Sequence, residues 1–166
     1  MNRRRFLLLA SAIVAQGAWV SSGRAQVGSP ITGAQPTLPT EKLVIITRDG
    51  KRHEFTVEIA STPREQEIGL MFRPTVAPDG GMLFDWGAPR ESTMWMRNTI
   101  APLDMVFINA DGTIRSIAED TVPNSLTVID SHGPVRATLE LAAGTTEHLG
   151  ILVGDHVEAP IFSKAG

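Results

Sequence analysis

The sequence predicts a mainly β protein, an antiparallel jelly-roll-like sandwich or barrel with one short capped helix near 63–71. Three observations carry this reading. Short runs of β-branched and aromatic residues recur along the chain, and turn signals such as Asp49-Gly50, Asp79-Gly80-Gly81 and Asp111-Gly112 separate them. Only one segment carries a helix-start signal. The strands do not alternate with helical patterns, as a βαβ fold requires.

The chain opens Met1-Asn2-Arg3-Arg4-Arg5, runs apolar from Phe6 to Val20 and reaches Gly23-Arg24-Ala25. A basic start, a short apolar core and a small-x-Ala end make residues 1–25 a signal peptide. Arg3-Arg4-Arg5-Phe6-Leu7 also resembles the twin-arginine signal, with Asn2 where Ser or Thr is usual. The expected location is therefore periplasmic or secreted. Without residues 1–25, which hold four arginines and no acid, 11 basic side chains face 18 acidic ones, a formal charge of −7. That balance argues against nucleic acid and against an anionic membrane surface as partners. The chain has no cysteine, so disulfides, thiolate chemistry and Cys-ligated metal sites are excluded.

Residues 26–40 are rich in Gly, Ser, Pro and Thr and read as a flexible linker. A single β domain spans 41–160 and a tail spans 161–166. Leu43–Thr47 is a β-branched strand, and Asp49-Gly50 turns it into His53–Ile59, where Phe55, Val57 and Ile59 share a face. Thr62-Pro63-Arg64-Glu65 is a capping box with proline at the first helical position, opening a helix to about Leu70 or Met71. Met82–Phe84 is a short buried strand and Asp85–Glu91 a loop around Gly87 and Pro89. Leu103–Ile108 and Thr113–Ile117 are strands joined at Asp111-Gly112. Asp120–Pro134 is a long loop carrying a short strand at Leu126–Ile129. Val135–Leu141 alternates again, and Asp155–Ala159 is the last strand.

Met94–Ile108 is the densest stretch, with large apolar side chains around Arg97, Asn98 and Asp104. Polar groups are costly to bury unless they pair. Arg97-Asn98-Thr99 and Pro102 read as a tight connection between two strands. Gly69-Leu70-Met71-Phe72-Arg73, Gly81-Met82-Leu83-Phe84, Trp95-Met96-Arg97-Asn98-Thr99 with Pro102-Leu103-Asp104, and Leu139-Glu140-Leu141 with Gly144 and Gly154-Asp155 resemble the domain-of-unknown-function family 192 over roughly residues 42–158. The resemblance implies a compact β sandwich, often behind a signal peptide, and no activity, since the family has none established. Met94 stands where that family often has Phe, and Ala137 where an aromatic is common.

The polar members of these motifs, with Trp95, form the candidate site: Arg73, Trp95, Arg97, Asn98, Asp104 and Glu140. They make either a ligand pocket, with Asp104 or Glu140 meeting an arginine and Asn98, or a structural network that locks the 97–102 connection. Structural duty is the better-supported of the two. The expected function is that of a non-enzymatic module binding a small polar ligand, a glycan or an envelope protein. Two alternatives stand beside it. Met94 and Met96 offer soft thioether ligands for Cu(I), although methionine commonly fills irregular cores. Asp104 or Glu140 could serve a cell-envelope hydrolase. No cofactor is otherwise expected. His53, His132, His148 and His156 lack ligand spacing, and no nucleophile elbow, phosphate loop, dinucleotide fingerprint or calcium loop is present.

Overall fold

The computed structural model of the chain describes residues 29–163. The expected signal peptide, the first residues of the expected linker and the last three of the tail lie outside the described residues. Seven strands form one mixed sheet. They are β1 (Thr40–Ile46), β2 (Arg52–Ala60), β3 (Gly80–Met94), β4 (Leu103–Ile108), β5 (Ile114–Ala118), β6 (Ile129–Ala142) and β7 (His156–Glu158). Their spatial order is β5-β4-β6-β3-β2-β1-β7. The sheet curls into a half-barrel whose two edges meet at one end. There Thr113 bridges His156, Ile114 N donates to Asp155 O, and Val157 N donates to Gly112 O.

The mainly β expectation holds, and one pairing departs from an all-antiparallel sheet. β2 and β3 run parallel, Thr56 facing Gly80 through Ala60 facing Phe84. A parallel neighbour requires a crossover. Residues 61–79 supply it, carrying the helix α1 (Pro63–Ile68) over the sheet. The capping box forms as the sequence predicts: Thr62 accepts from Glu65 N, and Glu65 accepts from Thr62 N. The helix stops at Ile68, short of the expected Leu70 or Met71. Gly69 takes φ +51° as its cap and donates to Glu65 O, which turns Leu70 and Met71 into the core. Two further short helices, α2 (Thr145–Leu149) and α3 (Pro160–Ser163), add to the one the sequence predicts; α2 has no side-chain cap, and α3 opens on Pro160, a residue suited to the first helical position. α2 lies between Gly144 and Gly150, both at positive φ.

Asp85–Glu91 is not a loop but the middle of β3. The ladder to β6 slips between Asp85–Ala137 and Arg90–Val135, so Gly87 and Pro89 sit in a bulge that needs no ladder hydrogen bond from proline. Leu126–Val128 is not a strand: β6 begins at Ile129, and Leu126 and Val128 are exposed. β3 and β4 flank β6 rather than each other, so the 95–102 connection spans a strand. Part of the expected linker is also tied down. Gln35 Nε2 donates to Glu65 O and Gly69 O, and Leu38 N donates to Glu58.

β4, the Met82–Phe84 part of β3 and the Ala137–Leu141 part of β6 are covered on both faces. The concave face gathers Leu43, Ile45, Phe55, Val57, Leu83, Val106, Leu139 and Val157. The convex face packs Met82, Phe84, Leu103, Met105 and Phe107 beneath Leu70 and Met96. All six residues of β4 are consequently buried, Asp104 included. Asp104 points to the concave side, where its carboxylate accepts from Asp120 N at 3.0 Å, Gly144 N at 3.2 Å, Thr146 N at 2.9 Å and the Thr146 hydroxyl at 2.8 Å. One side chain thus fastens the 119–121 segment and the start of α2 to the sheet.

These contacts set the stability losses expected of two variants. Asp104→Ala leaves three N–H groups without their acceptor, that of Thr146 buried and those of Asp120 and Gly144 in partly buried bonds, and is expected to cost about 3 kcal/mol or more in urea unfolding; a loss below about 1 kcal/mol would contradict the lock. Thr62→Ala removes a helix cap, and a loss of about 1 kcal/mol is expected in the same assay.

Candidate functional site

Alternation along β6 sends Leu139 and Leu141 to the concave core and Glu140 to the convex face, beside Met82 and Met105 in the neighbouring strands. Glu140 is 4 % exposed, and among the described residues it makes no hydrogen bond and no ion pair. Burial without compensation disfavours the carboxylate. It pushes the Glu140 carboxyl up to about 8. At neutral pH the group is therefore mostly an uncharged acid, able to donate a hydrogen bond.

Glu140 lies at a cavity of about 300 Å³. One side comes from α1 and its exit, with Gln66, Gly69 and Met71. Gln66 is held in place by hydrogen bonds from Nε2 to Ala60 O and Asp85 O. The other side comes from β3 and the turn after it, with Phe84, Trp86, Arg90, Met94, Trp95 and Thr99. Phe84 and Trp86 stack at 5.7 Å between centroids, and Trp86 Nε1 donates to Thr138 Oγ1, which sets the indole plane. The Arg90 guanidinium lies 4.2 Å over the Trp86 ring. Gly69 admits no larger residue here, because a Cβ would stand 2.9 Å from Phe84 Cζ and 4.0 Å from Glu140 Oε2, at a positive φ.

The sequence-predicted residues divide among three places. Trp95 and Glu140 meet at this cavity, and Trp95 remains 46 % exposed. Arg97 stacks over Trp95 at 5.5 Å. Asn98 serves through its backbone. It holds φ +56° in the Met96–Thr99 turn, a conformation asparagine tolerates, and its carbonyl accepts from Phe72 N. Among the described residues its side chain reaches only Met71 Sδ, at 3.8 Å.

Arg73 lies elsewhere. It forms a two-pronged pair with Glu58, with Nη2 2.9 Å from Oε2. Burial would raise the Glu58 carboxyl, but Arg73 and the Leu38 N–H outweigh it and hold the group below its usual range. Among the described residues neither Asp104 nor Glu140 pairs with an arginine. They project from opposite faces of the sheet, Asp104 opposite Leu141 and Glu140 opposite Met105, and form no carboxylate pair. Met94 lines the cavity, whereas Met96 is fully buried with the Thr121 hydroxyl 3.2 Å from its sulfur.

Sequence reasoning does not single out Trp86, Arg90 or Gln66 as site residues. Met82, Phe84 and Trp86 share strand alternation, and that signal could extend the strand past Phe84 despite Gly87 and Pro89. What the arrangement can do chemically is hold a small molecule against aromatic and thioether surfaces. A carboxyl group stands at the base and a guanidinium at the wall.

A model of the family described as Uncharacterized ACR, COG1430 (DUF192) matches residues 44–159. A Sinorhizobium meliloti 1021 protein, named provisionally as a transcription regulator, has a crystal structure similar to this chain. The two are 50 % identical with a TM-score of 0.73, over 75 % of this chain and 97 % of the other. A protein of unknown function from Novosphingobium aromaticivorans DSM 12444 is 36 % identical with a TM-score of 0.72, over 80 % of this chain and all of the other. No curated protein matches the chain. This chain belongs to the DUF192 family, a family of unknown function.

Proposed function

We propose that the protein is an exported, non-enzymatic binding module, working in the periplasm or outside the cell, whose ligand is a small polar molecule held in the Glu140 cavity. One observation carries the reading. Glu140 is buried in an aromatic and methionine-lined hollow with no partner among the described residues. Buried polar groups are nearly always satisfied, so an unsatisfied one facing a cavity is what a ligand would complete. The volume of about 300 Å³ is at the small end for ligand sites, which favours one ring or a short chain over an oligomer or a large cofactor. The name of the Sinorhizobium relative concerns that protein; the −7 charge of this chain after residue 25 speaks against a DNA surface here.

The test is a thermal-shift panel of monosaccharides, amino acids and small organic acids on the full chain. A stabilising ligand is expected, and Glu140→Gln should weaken it at least tenfold. Absence of any shift across the panel, or an unchanged affinity in Glu140→Gln, would sink the reading.

A pH prediction goes with it. The folded Glu140 carboxyl is raised, so between its ordinary range near 4.5 and about 8 the native state holds a proton that the unfolded state has lost. Stability contributed by this group is therefore full at low pH, declines as pH rises through that window and levels off above about 8. The decline amounts to about 5 kcal/mol. Urea midpoints for wild type and Glu140→Gln at pH 5, 7 and 9 measure it: the wild-type curve should fall relative to the variant, and parallel curves would refute the shift.

A further inference from the structure

We infer that the cavity is built for a small zwitterion, a molecule with a cationic amine or quaternary nitrogen for Glu140 and a carboxylate for Arg90. The inference rests on the reading of the cavity as a ligand site and specifies what enters it. Three charged side chains line the hollow: Glu67, Arg90 and Glu140. Glu67 is already neutralised by Arg64 at 2.8 Å. The other two have no ion-pair partner among the described residues, and although they share the cavity they form none with each other. Arg90 rests on the Trp86 face. One site therefore presents a buried acid without a partner and, at its rim, an exposed guanidinium free to pair with an entering anion.

A neutral sugar could accept a hydrogen bond from Glu140 but would leave the Arg90 guanidinium to solvent. A simple anion would answer Arg90 and leave the acid unserved. A zwitterion answers both, and it does so where the walls favour it. Phe84, Trp86 and Trp95 wall the cavity with aromatic surface, Trp86 and Trp95 already carrying the Arg90 and Arg97 guanidinium groups, and Met71 and Met94 offer apolar surface to a side chain. About 300 Å³ accommodates a free amino acid or a betaine.

The chemistry has a measurable signature. A cationic nitrogen beside Glu140 favours the carboxylate, so the acid gives its proton to solvent as the ion pair forms. With the free carboxyl at about 8, binding at pH 7 should release about 0.9 proton per site. A neutral ligand should release essentially none.

Titration calorimetry of the full chain with L-leucine, L-methionine and glycine betaine, in two buffers of different ionisation enthalpy, reads that number. N-acetylglucosamine and 4-methylpentanoate, which is leucine without its amine, serve as controls. The expected result is binding of at least one zwitterion with proton release, and tenfold or weaker binding of 4-methylpentanoate. Glu140→Gln should abolish the release. Arg90→Ala, at an exposed position that leaves the fold intact, should weaken the zwitterion about tenfold. Zwitterion binding without proton release, or 4-methylpentanoate binding as tightly as leucine, overturns the inference. Binding of N-acetylglucosamine alone overturns it while leaving the cavity as a ligand site. No binding by any probe, together with a silent thermal-shift panel, removes both.

Discussion

Burial of the central strands on both faces is the constraint on which the rest of the molecule depends. β4 and β6 face the curled interior on one side and the 61–79 crossover and 95–102 connection on the other. Water reaches neither side freely, so each polar group there must find its partner within the protein or do without. Asp104 and Glu140 are near neighbours in the ladder and show both outcomes. Asp104 collects four hydrogen bonds and stitches two loops to the sheet. Glu140, on the opposite face, collects none among the described residues and borders the cavity. The first arrangement is what a stability element looks like, and the second is a local cost that the surrounding core has to offset.

The aromatic and basic groups around Glu140 are placed by features that are themselves structural. The bulge in β3 brings Arg90 onto Trp86, Thr138 sets the indole plane, and Gln66 fixes α1 against the end of β2 and the middle of β3. The first wall of the cavity therefore stands on ordered elements, with few loop residues left to reorganise. A site prepared in this way loses little conformational freedom when it is filled.

Local chemistry makes much of this fold legible in the sequence. The Asp49-Gly50 hairpin, the capping box at Thr62 and the shared face of Phe55, Val57 and Ile59 depend only on neighbours in the chain, and the structure keeps all three. The parallel β2–β3 pair and the place of β6 between β3 and β4 depend on distant pairings that no short window contains. Gly87 and Pro89 suggest a loop unless the bulge that accommodates them is known. The same division applies to the site. Glu140 and Trp95 are recognisable as members of dense motifs. Arg73 and Asp104 belong to the same motifs, yet strand alternation and the Arg73–Glu58 pair take both away from the cavity. Trp86 and Arg90 belong to no polar motif, and only the fold brings them to Glu140.

The meeting of β5 and β7 has a consequence for the molecule in a crowded compartment. Strand edges are templates on which a second chain can add, and long exposed ones invite fibrous association. Here one edge strand has five residues and the other three, and at one end they bond to each other through Thr113, Ile114 and Val157. Little unpaired backbone is left for another copy to extend. For a cysteine-free β chain, which has no disulfide to hold it closed, this self-capping guards colloidal solubility as much as it completes the fold.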